Sequence, residues 1–95
     1  MIRYALTALL SLTVLSGCLN MSGSRVTVER AGPDELLKLR AGPGLGFRIV
    51  AGLPDGTELI RRDCVTEAGQ RWCRVSLAKA PGLTGYVSAD YLSSL

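Results

Sequence analysis

The chain has 95 residues, no histidine, three cysteines and a formal net charge of +3. That length holds one small domain, and so slight a basic excess does not point to nucleic acid. The lack of histidine removes the commonest general base and metal ligand from any chemistry considered.

Residues 1–17, "MIRYALTALLSLTVLSG", carry one early positive charge, Arg3, then an apolar run from Tyr4 to about Leu15, then the small residues Ser16 and Gly17. A charged start, a short apolar core and a small-residue cleavage site are the parts of a secretory signal peptide. The run falls short of the ~20 residues that a membrane-crossing helix needs. "LSGC", residues 15–18, resembles the lipobox of bacterial lipoproteins. That resemblance implies cleavage before Cys18 and lipidation of its thiol, which anchors the protein to a membrane. Leu19, where Asp would hold an enterobacterial lipoprotein in the inner membrane, implies an outer-membrane anchor facing the periplasm. The plainer alternative is an ordinary signal peptide with an incidental cysteine. Residues 18–25 are then the lipidated cysteine and a flexible, polar tether. Residues 26–95 form the domain.

Along the domain, "RVTVER" (25–30) alternates Val26 and Val28 with polar residues, which predicts a short strand. "AGPD" (31–34) is a turn. "ELLKLR" (35–40) places Leu37 and Leu39 on one side. A helix competes there on propensity, but Gly-Pro punctuation on both sides favours a strand. "AGPGLGF" (41–47) breaks the chain again. Strands are expected in "FRIVAGL" (47–53), "TELIRRDCV" (57–65), "RWCRVSL" (71–77) and "YVS" (86–88). Between them "PDG" (54–56) and "TEAGQ" (66–70) are turns and "AKAPGLTG" (78–85) is a loop, while "ADYLSSL" (89–95) makes a final turn. Short strands between Gly and Pro, without a useful helical period, predict an all-β small barrel or sandwich.

With Cys18 assigned to lipid, Cys64 and Cys73 remain as a pair. Export places them where a disulfide persists. If they stand opposite each other on antiparallel strands, the same register pairs Glu67 with Gln70 and leaves Ala68-Gly69 as a two-residue turn. The cysteines then form a non-hydrogen-bonded pair with Cα atoms about 4.5 Å apart, within reach of a disulfide. Ala68 suits the first position of such a type I′ turn poorly; a four-residue loop over 67–70 keeps the same register. Two cysteines without histidine fall short of a zinc site, and no metal or cofactor is expected.

Alternation puts Trp72 and Arg74 on the face of their strand opposite Cys73, Val75 and Leu77. If the cysteine face is the core, Trp72 lies at or near the surface, where it would serve as a ligand anchor. The alternative is that it caps the open end of a barrel. The glycines of "AGPGLGF" do not make a phosphate loop, since no helix and no Lys-Ser/Thr pair follows them. The carboxylates Asp34, Glu35, Asp55, Glu58, Asp63 and Glu67 show no spacing that assembles a catalytic pair, and no enzyme activity is expected.

"LLKLRAGPGLGFRIVAGLPDGTEL", "RWCRVSL" and "GLTGYVSADYL" in succession resemble a bacterial SH3-like (SH3b) domain over about residues 34–95. The matching positions are Leu37, Leu39, Arg40, Gly42, Pro43, Phe47, Val50, Leu53, Gly56, Thr57, Trp72, Val75, Gly85, Tyr86, Val87, Tyr91 and Leu92. Leu39 departs from the usual Val, Tyr86 from the commoner Trp, and the cysteine pair is a variant. The resemblance implies a small SH3-like barrel of about five short strands. It implies that Gly42 and Pro43 set a turn which Arg40 fixes through nearby carbonyls. It further implies a non-catalytic module that recognises peptidoglycan or its stem peptides. Phe47, Arg48, Trp72, Arg74, Tyr86 and Tyr91 are the candidate ligand residues, aromatic rings packing on sugar or peptide and arginines pairing with carboxylates. The alternative is an envelope lipoprotein that binds a protein partner with the same aromatics. In either case a monomer is expected.

Overall fold

The computed structural model describes residues 23–94. The signal peptide, Cys18 and the tether up to residue 22 lie outside the described residues. The described residues form seven strands: β1 (Ser24–Val28), β2 (Leu37–Arg40), β3 (Ile49–Leu53), β4 (Glu58–Glu67), β5 (Gln70–Leu77), β6 (Ala80–Ser88) and β7 (Leu92–Ser94). A 3-10 turn, Ala89–Tyr91, separates the last two. All pair antiparallel in one sheet of order β3-β2-β6-β5-β4-β1-β7, curled into a half-barrel.

The all-β, SH3-like expectation holds, with more strand than the sequence suggested. β6 begins at Ala80, so most of the expected loop 78–85 belongs to the sheet. Pro81 and Gly82 are exposed at an irregular stretch, where the β5–β6 register shifts beside Leu77, and proline is tolerated where no ladder donor is needed. The final turn becomes the 3-10 turn followed by β7, which pairs with β1. Strand β1 also starts earlier than expected. Ser24, assigned by sequence to the tether, and Arg25, placed both there and at the start of the expected strand 25–30, pair with Arg61 and Ile60 of β4.

Alternation builds the core. Val26 and Val28 of β1, Leu37 and Leu39 of β2, Leu53 of β3, Leu59 of β4, Cys73 and Val75 of β5 and Val87 of β6 form one buried cluster. Each is the inward residue of a two-residue period. Burying a valine or leucine contributes roughly 1.5–3 kcal/mol, so this cluster is the main stabilising element. Ala51, Leu77, Leu83 and Leu92 pack around it.

The β4–β5 hairpin closes as Glu67↔Gln70, leaving Ala68-Gly69 as a two-residue turn, with Cys64 directly across from Cys73 and disulfide-bonded to it. Ala68 (φ 52°) and Gly69 (φ 79°) both take positive φ, the type I′ geometry. A bulge between Arg61 and Cys64 bends the long β4.

Candidate ligand-binding groove

The glycine-rich segment is the tip of the β2–β3 hairpin. Gly42 is buried beneath the Phe47 ring, and a Cβ built there would lie 2.5 Å from two ring carbons. The glycine is therefore required by close approach, not by its φ angle. Arg40 Nη1 donates to the carbonyls of Leu45 (3.1 Å) and Phe47 (3.0 Å), and Ala41 N donates to Arg48 O (2.9 Å). Gly44 N donates to Gly42 O and Phe47 N to Gly44 O, which winds the tip into a compact unit. At its outer end Leu45 is 76% exposed.

Trp72 does not stand free on the surface. It is only 6% exposed, yet it is no part of the core cluster. The alternation along β5 is intact here: Cys73 and Val75 face the core, and the bulge lies beyond, at Ser76–Leu77. Trp72 points to the other face, and that face is roofed. The 3-10 turn packs on β5, and Gln70 Nε2, beside the Trp, donates to Ser88 Oγ at 2.7 Å. Trp72 thus becomes the floor between the hairpin tip and the 3-10 turn.

Two clefts meet over it and share Leu45, Trp72, Ser88 and Tyr91 as lining. One, of about 320 Å³, extends along β2 past Glu35, Leu36, Lys38 and Arg40. The other, of about 660 Å³, extends past Pro43 and Gly44 to the β4–β5 turn at Glu67, Ala68 and Gln70, with Asp90 at its side. Together they form a groove across one end of the sheet. The Trp72 indole N–H makes no hydrogen bond among the described residues, and it is not among the fully sealed, unpartnered polar atoms, where Ser76 Oγ is found.

The sequence candidates divide. Trp72, Tyr91, Arg40 and Pro43 line the groove. Phe47, 48% exposed, spends one face on Gly42 and is not part of the lining. Arg48 is exposed and makes no side-chain hydrogen bond or ion pair among the described residues; it also lies outside the lining. Tyr86 and Arg74 occupy a neighbouring row on the outer face, where Tyr86 stands across from Arg40 on one side and Arg74 on the other. Arg74 is already engaged: its Nε and Nη2 donate to Asp63 Oδ1 at 2.9 and 2.6 Å. That hydrogen-bonded guanidinium, helped by the Asp63 backbone N–H, holds the Asp63 carboxyl below the usual range. Sequence reasoning missed Leu36, Lys38, Leu45, Gln70, Ser88 and Asp90. Of these only Gln70, in the turn just before Trp72, lies close to it in sequence; the others are brought to it by the fold.

Residues 35–93 match the protein family described as bacterial SH3 domain. Among curated proteins, the chain is 33% identical over 73 residues to the "Putative N-acetylmuramoyl-L-alanine amidase YrvJ" of Bacillus subtilis (strain 168). The match takes in 77% of this chain but only 12% of that protein, so the chain spans a small part of its relative's length. No solved structure matches.

Proposed function

Because the chain belongs to the bacterial SH3 domain family, we propose that it is a non-catalytic binding module that takes peptidoglycan stem peptides in the groove over Trp72. The single observation that carries the reading is the groove itself. A buried aromatic floor, an aromatic wall at Tyr91 and polar rims suit an extended peptide or sugar-peptide chain. The similarity to a stretch of a protein named for the N-acetylmuramoyl-L-alanine bond, a linkage of peptidoglycan, supports the same ligand class. On this reading Cys18 carries the lipid anchor, the domain faces the periplasm from the outer membrane, and the groove is presented to the wall.

The test is co-sedimentation of the purified full chain, in detergent, with peptidoglycan sacculi. Wild-type protein is expected to pellet, and Tyr91→Ala and Trp72→Ala to pellet less while remaining folded by circular dichroism. A folded wild-type protein that stays in the supernatant would overturn the reading. The second reading, a protein partner in the envelope, is favoured by one feature: Leu36, Leu45, Phe47 and Ile49 are all about half exposed or more near the β2–β3 hairpin.

A further inference from the structure

We infer that the groove has a chemical direction: its hairpin end, at Glu67 and Asp90, receives the ammonium group of a peptide whose backbone carbonyl accepts from Trp72 Nε1. The inference rests on the reading of the groove as a stem-peptide site and assigns the ligand's orientation within it.

Three independent observations lead there. Trp72 is 6% exposed, it lines both clefts, and its N–H has no partner among the described residues. The N–H is not among the sealed, unpartnered polar atoms, so it stays open to the groove and is available to donate to an acceptor that enters there. Next, Glu67 and Asp90 both line the larger cleft, and neither takes part in any of the three ion pairs of the described residues. Arg30 reaches Asp90 only at its backbone carbonyl and is itself paired with Glu29. Gln70, directly across the hairpin from Glu67, donates to Asp90 Oδ2 at 3.3 Å and so ties the two carboxylates to one corner.

The third observation is the contrast with the other half. There the lining cations, Lys38 and Arg40, stand along β2 with Glu35, whereas among the described residues no cation lines the half at Glu67 and Asp90. Charge is separated along the groove, with Trp72 between. The ligand that fits has an ammonium at one end and carboxylates towards the other, joined by a peptide bond. A stem peptide bearing a diamino acid with a free side-chain amine has that chemistry. A metal ion does not fit, since no cluster of three metal-type ligands exists among the described residues.

Trp72 is the one tryptophan in the chain, so its emission reports the site directly. Two synthetic tetrapeptides would be titrated into the full chain in detergent. They are identical except that the diamino residue's side-chain amine is free in one and acetylated in the other. The free-amine peptide is expected to shift Trp72 emission, and acetylation to weaken binding roughly tenfold, as for loss of a charge-assisted hydrogen bond. Glu67→Gln, at an exposed turn, should erase most of that difference. Trp72→Phe, followed by calorimetry, should weaken both peptides alike. Equal affinities for the two peptides would overturn the orientation while leaving peptide recognition standing. Failure of both peptides, with sacculi still pelleting, would also overturn it. Failure of both peptides and of pelleting together would remove the underlying reading.

Discussion

At Gly42 a single hydrogen in place of a methyl group decides whether the hairpin tip can close. The Phe47 ring occupies the space a Cβ would need. Gly42→Ala is expected to destabilise the domain by about 1–3 kcal/mol, the range for overpacking, measured by urea unfolding. Phe47→Ala in the same chain should recover much of that loss, and an additive double mutant would show that the ring is not the obstruction. Asp63 offers a residue-scale test of charge. Its carboxyl is held low by Arg74, so the pair's contribution is present above the ordinary Asp range and lost as pH falls through the lowered folded value. Arg74→Gln should move the Asp63 midpoint upward in a carboxyl NMR titration; an unmoved midpoint would count against the pairing. At this scale the sequence was only partly legible. Arg40 and Gly42 follow a local pattern, and both were read as turn-shaping residues. The engagement of Arg74 by Asp63 depends on the bulge in β4, which no local pattern announces.

The β4–β5 hairpin carries two opposed features. Its disulfide links residues nine apart, and on the chain-entropy argument closing so short a loop stabilises by roughly 2.5–3 kcal/mol. Its turn, in contrast, holds Ala68 at φ 52°, a region that L-residues with a Cβ enter at a cost of about 1–2 kcal/mol. Ala68→Asn, giving the favoured Asn-Gly pair, is expected to raise stability by about 0.5–1 kcal/mol, read as a higher thermal midpoint. A lowered midpoint would mean that Ala68 makes contacts the backbone does not reveal. Reduction of the disulfide should lower the midpoint of the same protein, and an unchanged midpoint would show that the hairpin holds its register unaided. Register and turn were readable here because two cysteines and a two-residue turn constrain one another. The length of β6 was not, because Pro81 and Gly82 read as loop residues until a neighbouring strand pairs with them.

For the molecule as a whole, the face of the sheet that would otherwise be solvent-exposed is covered at one end and becomes a groove. Alternation correctly gave the side of β5 on which Trp72 lies. It could not give the cover, which comes from segments some 30 residues before it (the hairpin tip) and some 20 after it (the 3-10 turn). Fold class is thus legible in short-range pattern, while the site arises from long-range assembly of turns. Raising ionic strength should weaken binding of the free-amine peptide more than that of its acetylated counterpart, since only the former brings an added charge to Glu67 and Asp90. Equal salt sensitivity would argue that the contact is not ionic.

Strand β1 lies inside the sheet, hydrogen-bonded to β4 on one side and β7 on the other. Any tension applied through the chain that precedes Gly23 enters the domain along the axis of this strand. It meets two ladders loaded lengthwise, so their hydrogen bonds resist together instead of opening one after another. The strand ends against the groove, where Glu29 N donates to Tyr91 O at 2.8 Å, so a load carried along β1 is passed directly to the groove's aromatic wall.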